Sequence, residues 1–293
     1  MSRCHLCPRQ CGADRAAGQT GFCGVPEAPV VARAAPHFGE EPCISGSRGS
    51  GAVFFAGCNL RCVFCQNYAL SRSGLGKEIT VRRLRDIFKE LLDQGVHNIN
   101  LVTPSHYARA IVQALDGLEL GIPVVWNSSG YESVETLRML EGLVQVYLPD
   151  LKYADSSLAA RYSAAADYPE TAHAAIREMF RQAGPFRMDE DGMLQSGVLI
   201  RHLILPEQAD NSRRVIDWVS DTFEPGEVLF SLMSQYTPMG ALAAYPELQR
   251  TVSPALNDAI YAYLIGSRIE DGFYQELEAA TGEMIPKFDG TGV

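Results

Sequence analysis

The segment Gly57-Cys58-Asn59-Leu60-Arg61-Cys62-Val63-Phe64-Cys65-Gln66-Asn67 places three thiols at C-x-x-x-C-x-x-C spacing. Three thiolates in one loop can bind three corners of a cubane [4Fe–4S] cluster, leaving the fourth iron without a protein ligand. Iron–sulfur proteins that only carry electrons usually supply four cysteines per cubane, and an open metal position is a place for chemistry, as on catalytic zinc. The competing reading is a zinc or structural site completed by a residue elsewhere. A second group, Cys4-x-x-Cys7-x-x-x-Cys11 with Cys23, can give four thiolates to one site. That site suits structural zinc, or a second [4Fe–4S] cluster able to relay electrons. Cys43 is left as a spare ligand, a substrate-side thiol or a packing residue. All eight cysteines precede Gln66, whereas cysteines that merely fill a core would be scattered. Clustered thiols in a reducing compartment point to metal rather than to disulfides.

The elements that must position these thiols read as alternating strands and helices. Ala52–Ala56 is a strand that delivers the chain into the cysteine loop at Gly57. Helical spacing over Thr80–Gln94 ends at Gly95, a plausible C-cap. Strands are expected at Asn98–Val102, Pro123–Trp126, Val144–Leu148, Gly197–Leu205 and Val228–Met233, with helices between them and closing helices within Pro246–Gly266. Such alternation argues for parallel βα units with right-handed crossovers. Six units suggest an α/β fold of the incomplete (β/α)6, TIM-like barrel kind, with a doubly wound sheet as runner-up. Residues 1–48 show no sustained periodicity and read as an irregular, metal-binding N-terminal segment; residues 49–293 read as the partial barrel.

The chain has 293 residues, 46% of them apolar and 20% charged, enough for one sizeable core. Its formal net charge of −10 disfavours nucleic acid and anionic membranes as partners. The apolar runs are too short for a membrane span, and no secretory leader is evident. A cytoplasmic location is therefore expected.

Spacing and context of the cysteine loop resemble the radical S-adenosylmethionine (SAM) superfamily. The resemblance implies a [4Fe–4S] cluster on Cys58, Cys62 and Cys65, with SAM chelated to the open iron through its amino and carboxylate groups. One electron then breaks the S–C5′ bond, giving methionine and a 5′-deoxyadenosyl radical that abstracts hydrogen from a substrate. Phe64 matches the aromatic residue that the family places near the adenine. Within the superfamily the chain is similar to the activating enzymes of glycyl-radical proteins, namely pyruvate formate-lyase activating enzyme-like relatives. The match runs over Glu41-Pro42-Cys43-Ile44-Ser45-Gly46, Phe54-Phe55-Ala56-Gly57-Cys58-Asn59 and Cys65-Gln66-Asn67. Where those relatives carry a Gly-Gly-Glu segment that binds the cofactor's amino group, this chain has Thr103, Pro104, Ser105 and His106, so Thr103, Ser105 or His106 is expected to supply that contact. Asn127-Ser128 and Asp150-Leu151-Lys152 resemble the segments that hold a monovalent cation and the cofactor's methionine end. Arg201, in an otherwise apolar strand, matches an arginine that contacts the cofactor. It is costly to bury unpaired, so a structural ion pair is its alternative. His202, on the other face, is expected to be a satisfied packing residue. Gln235 and Tyr236 are placed on the substrate side by position.

The resemblance implies an oxidoreductase of the glycyl-radical-activase kind, with a reductant such as flavodoxin or ferredoxin and a glycyl-radical protein as possible substrate. Modification of a small molecule or peptide is the second reading. A non-catalytic iron–sulfur or zinc protein is the third.

Overall fold

The computed structural model describes residues 3–240, 242–275, 277 and 286–293. In chain order the strands are β1 (Val30–His37), β2 (Ser50–Phe55), β3 (Lys77–Glu78), β4 (Ile99–Val102), β5 (Val124–Ser128), β6 (Val146–Pro149), β7 (Arg187–Met188), β8 (Leu194–Leu203), β9 (Leu229–Met233) and β10 (Gly272–Gln275). The helices are α1 (Pro42–Ser45), α2 (Tyr68–Ser73), α3 (Val81–Asp93), α4 (Ala108–Leu115), α5 (Val134–Arg138), α6 (Ser156–Ser163), α7 (Tyr168–Ala183), α8 (Ala209–Thr222) and α9 (Pro254–Ile265).

Local sequence explains the elements. Thr80 caps α3, its hydroxyl accepting from the Arg83 amide, and Leu84, Ile87, Phe88 and Leu91 make the buried stripe. Gly95 follows with a positive φ. The central strands are buried on both faces, as parallel strands covered by helices must be. Strands β2, β4, β5, β6, β8, β9 and β10 are parallel neighbours in chain order. A doubly wound sheet would reverse its strand order at a switch point; this one does not. Right-handed crossovers without reversal keep the helices on one side of a sheet that curves but does not close.

Two features depart from expectation. The stretch 1–48 is not irregular throughout: it contains β1, which pairs antiparallel with β2 from Val31–Phe55 to His37–Ser50. Its alternation is hidden because Val31, Ala32, Ala34 and Ala35 are all buried, on both faces. A seventh parallel strand, β10, lies beyond β9.

The short α1 fills the concave side of the sheet. Cys43 and Ile44 pack among Val125, Val146, Leu148, Leu199 and Leu229, from β5, β6, β8 and β9. Asn98 Nδ2 donates to the Ile44 carbonyl at 2.7 Å, and Ser50 Oγ donates to Asn98 Oδ1 at 2.6 Å, fixing the plug. Cys43 is thus a packing residue whose burial pushes its thiol up to about 12. Ile44→Ala is expected to cost about 2–5 kcal/mol, as deletions of buried aliphatic side chains do, measurable by equilibrium unfolding. A cost under about 1 kcal/mol would show that the plug does not support the sheet.

Candidate active site

Strand β2 ends at the cysteine loop, at the C-terminal edge of the sheet. Gly57 has φ +82°, and a Cβ there would meet the Cys23 carbonyl and Val25 at 2.8 Å, so this position needs glycine. Cys58, Cys62 and Cys65 are free thiols. All three face one cavity of about 540 Å³. Each sulfur receives a donor: the Leu60 amide to Cys58 at 3.4 Å, Ser163 Oγ to Cys62 at 3.0 Å, and Ser71 Oγ to Cys65 at 3.4 Å. Burial first, then the neighbouring thiols, pushes Cys58 up to about 12. Three free thiols lining one cavity are a soft donor set of the kind that holds an iron–sulfur cluster. Phe64 also lines the cavity, held edge-on by Tyr236 at 5.9 Å and Tyr162 at 6.5 Å.

Facing the loop is a polar layer drawn from successive strands. Arg201 on β8 donates from Nε to Asp150 Oδ1 at 2.9 Å, from one terminal nitrogen to Glu40 Oε2 at 2.9 Å, and from the other to Asn127 Oδ1 at 2.7 Å. Asn127 Nδ2 returns a bond to Glu40 Oε1 at 2.9 Å, and Asn100 Nδ2 donates to the same oxygen at 3.2 Å. Lys152 Nζ donates to Asp150 Oδ2 at 2.5 Å. Burial alone would raise Asp150, but Arg201 and Lys152 outweigh it and hold the carboxyl below its usual range. Burial would likewise lower Lys152, but Asp150 and Cys62 outweigh it and raise the ammonium. Charge-assisted forks of this kind are among the stronger and more directional polar contacts in proteins.

Tyr168 ties the two loops together. Its hydroxyl shares its one proton between the carbonyls of Ser129 at 2.8 Å and Asp150 at 2.7 Å, and it accepts from the Lys152 amide at 2.9 Å. Gly130 lets the loops approach: its φ is +74°, and an added Cβ would lie 2.3 Å from the Asp150 carbonyl oxygen.

Of the residues predicted from sequence, Cys58, Cys62, Cys65, Phe64, Thr103, Asn127, Ser128, Asp150, Lys152 and Arg201 line this cavity. Ser105 and His106 do not. Thr103 has φ +58°, a costly backbone state for a β-branched residue, and it turns the following chain away from the cavity. Ser105 Oγ donates to Glu132 Oε1 at 2.5 Å instead. His106 Nε2 bonds the Ala56 carbonyl at 2.7 Å, and burial brings the ring down to about 4. His202 is satisfied by the Leu151 carbonyl and the Ser212 hydroxyl, at 2.7 and 2.9 Å, as expected of a packing residue. Glu40, Glu41 and Tyr168 were not expected in the site. Glu40 and Glu41 sit just before the plug, in a stretch without periodicity; only the placement of acids ahead of Pro42 hinted at them.

The N-terminal cysteines gather behind the cysteine loop. Cys4, Cys7 and Cys23 are buried, and Cys11 is exposed. Burial pushes Cys7 up to about 12, with Cys23 and Cys4 among the groups acting on it. Burial would raise Cys11 as well, but the amides of Ala13 and Phe22 and the Cys4 thiol donate to its sulfur and hold it below its usual value. The segment is fastened to the loop by two arginines. Arg9 Nε donates to the Asn59 carbonyl at 2.8 Å, and Arg61 donates to the Phe22 carbonyl at 2.8 Å. Both guanidinium groups lie over the Phe22 ring, at 4.0 and 4.6 Å.

Residues 52–188 match the Radical SAM superfamily. The uncharacterized protein MJ0674 of Methanocaldococcus jannaschii is 30% identical over 263 residues, covering 86% of this chain and 71% of that protein. Streptococcus suis SuiB bound to its precursor peptide SuiA is 15% identical with a TM-score of 0.53, over 78% of this chain and 49% of that one. SuiB bound to S-adenosylmethionine is 14% identical with a TM-score of 0.52, over 79% and 51%. The likeness to SuiB is one of fold, and the chain spans about half of SuiB's length. Among the described residues no helix is long and apolar enough to cross a membrane.

Proposed function

This chain belongs to the radical S-adenosylmethionine superfamily, and on that premise we propose that Cys58, Cys62 and Cys65 hold its [4Fe–4S] cluster while Arg201, Asp150, Lys152 and Asn127 hold its SAM. The observation that carries this reading is the convergence of three free thiols and the Arg201 network on one cavity at the C-terminal ends of the strands, where barrel enzymes build their sites. When bound, the cluster supplies one electron to the sulfonium and so a 5′-deoxyadenosyl radical. The chain's own part is positioning. Ser163, Ser71 and the Leu60 amide place donors against the thiolates. Lys152 and Arg201 supply cationic groups for the cofactor's carboxylate, kept charged by Asp150. Phe64 is an aromatic side chain of the cavity that would be available to the adenine.

The target is hydrogen abstraction, with a glycine of a partner protein as the leading substrate. Peptide modification is a second reading, favoured by the fold shared with SuiB, which binds the peptide SuiA. Anaerobically reconstituted protein with dithionite and SAM is expected to release 5′-deoxyadenosine and methionine together. No 5′-deoxyadenosine above the protein-free control would overturn the reading.

Cys4, Cys7, Cys11 and Cys23 are read here as a second, structural metal site that braces the cysteine loop. Metal analysis of the Cys58→Ala/Cys62→Ala/Cys65→Ala triple variant is expected to find stoichiometric zinc or iron retained, lost on adding Cys7→Ala. A triple variant free of both metals would remove the second site.

A further inference from the structure

On the same reading of the cavity, we infer that its floor, at Glu41 and the face of β9, receives a cationic group of the substrate, an ammonium or guanidinium. Glu41 leads into the plug and lines the cavity. Its Oε2 is buried without a hydrogen-bond partner, while Ser231 on β9 lies close enough to the carboxyl to favour its charged form. The other charged groups of the layer are already matched, Arg201 by Glu40 and Asp150, and Lys152 by Asp150. Three carboxyl groups thus face two cations, and Glu41 is the one in no ion pair among the described residues. Burial raises it, with Arg201 opposing, and a cation brought in by a ligand would relieve that cost. Gln235, beyond the end of β9, adds a second acceptor: it lines the same cavity, and its Oε1 is also buried without a donor. Residues two apart on a strand share a face, which puts Ser231 and Met233 on the cavity side, with Gln235 continuing the line. Glu41 and Gln235 line one cavity and each keeps a buried oxygen without a partner, which suits a ligand rich in donors.

The test uses reconstituted holoenzyme with SAM bound and titrates matched probes calorimetrically: n-pentylamine against 1-pentanol, and Nα-acetyl-lysine amide against Nα-acetyl-norleucine amide. The first pair tests a free amine, and the second a lysine side chain of a peptide. In at least one pair the amine is expected to bind about tenfold more tightly, the size of one charge-assisted hydrogen bond. Glu41→Gln is expected to remove that preference with SAM affinity unchanged, and Gln235→Glu to increase it. Equal binding within both pairs in the unmutated enzyme would overturn the inference. So would a Glu41→Gln variant that keeps the preference, or one that loses SAM affinity instead, which would assign Glu41 to the cofactor. Failure of the radical reading would appear separately, as absent 5′-deoxyadenosine with the amine preference intact.

Discussion

Cys58→Ala, Cys62→Ala and Cys65→Ala are each expected to lower 5′-deoxyadenosine release by at least about a thousandfold, to the level of the uncatalysed control, the scale on which loss of a catalytic group acts. All three thiols face the one cavity, and a cubane with two protein ligands leaves two irons open instead of one. Among the described residues no other cysteine lines that cavity: Cys43 is packed into the plug, and Cys4, Cys7 and Cys23 lie behind the loop, with Cys23's carbonyl against Gly57. A fourth variant separates cluster loss from misfolding. Cys43→Ser removes a buried thiol of the same chain without touching the cavity and is expected to retain SAM cleavage. Cleavage by any of the first three variants within about tenfold of the unmutated enzyme would show that its sulfur is not a ligand.

The second large effect belongs to Arg201. Its guanidinium satisfies three partners at once, Asp150, Glu40 and Asn127. Removing one member of a buried charge network leaves the remaining charges uncompensated and costs about 3–5 kcal/mol. Arg201→Met is therefore expected to destabilise by that amount and to abolish measurable SAM binding. Arg201→Lys keeps the charge but not the planar fork, so it should fall between. If the stability loss arises from stranded carboxylates, Arg201→Met combined with Glu40→Gln will recover part of it in a double-mutant cycle. Additive losses would mean that the Glu40 contact is not coupled to the arginine.

The parts of the fold written in local patterns were legible from sequence. The apolar stripe of α3, the strand before the cysteine loop and the alternation of strands with helices follow from spacing, whereas the strand order that separates a partial barrel from a doubly wound sheet came from the structure. Strand β1 was not legible, because burial on both faces of Val31–Ala35 erases the alternation that marks a half-exposed strand. Strand β10 is a four-residue element with only Phe273 to Gln275 after its glycine, too short for a period to register. Within the site, the cysteine loop was legible because its ligands are adjacent in sequence. Glu40 reaches Arg201 across 161 positions of chain, a contact that no local pattern encodes. Ser105 and His106 were misplaced for a backbone reason: the positive φ at Thr103 turns them behind the strand end, where Glu132 and the Ala56 carbonyl take them up.

The proposed cluster site can be interrogated directly. Electron–nuclear double resonance on the reduced, reconstituted protein, with SAM labelled by 15N at its amino group, is predicted to show a strong 15N coupling to the cluster, lost in Arg201→Met. A four-iron signal unchanged by SAM, with no 15N coupling, would contradict the site described for Cys58, Cys62 and Cys65.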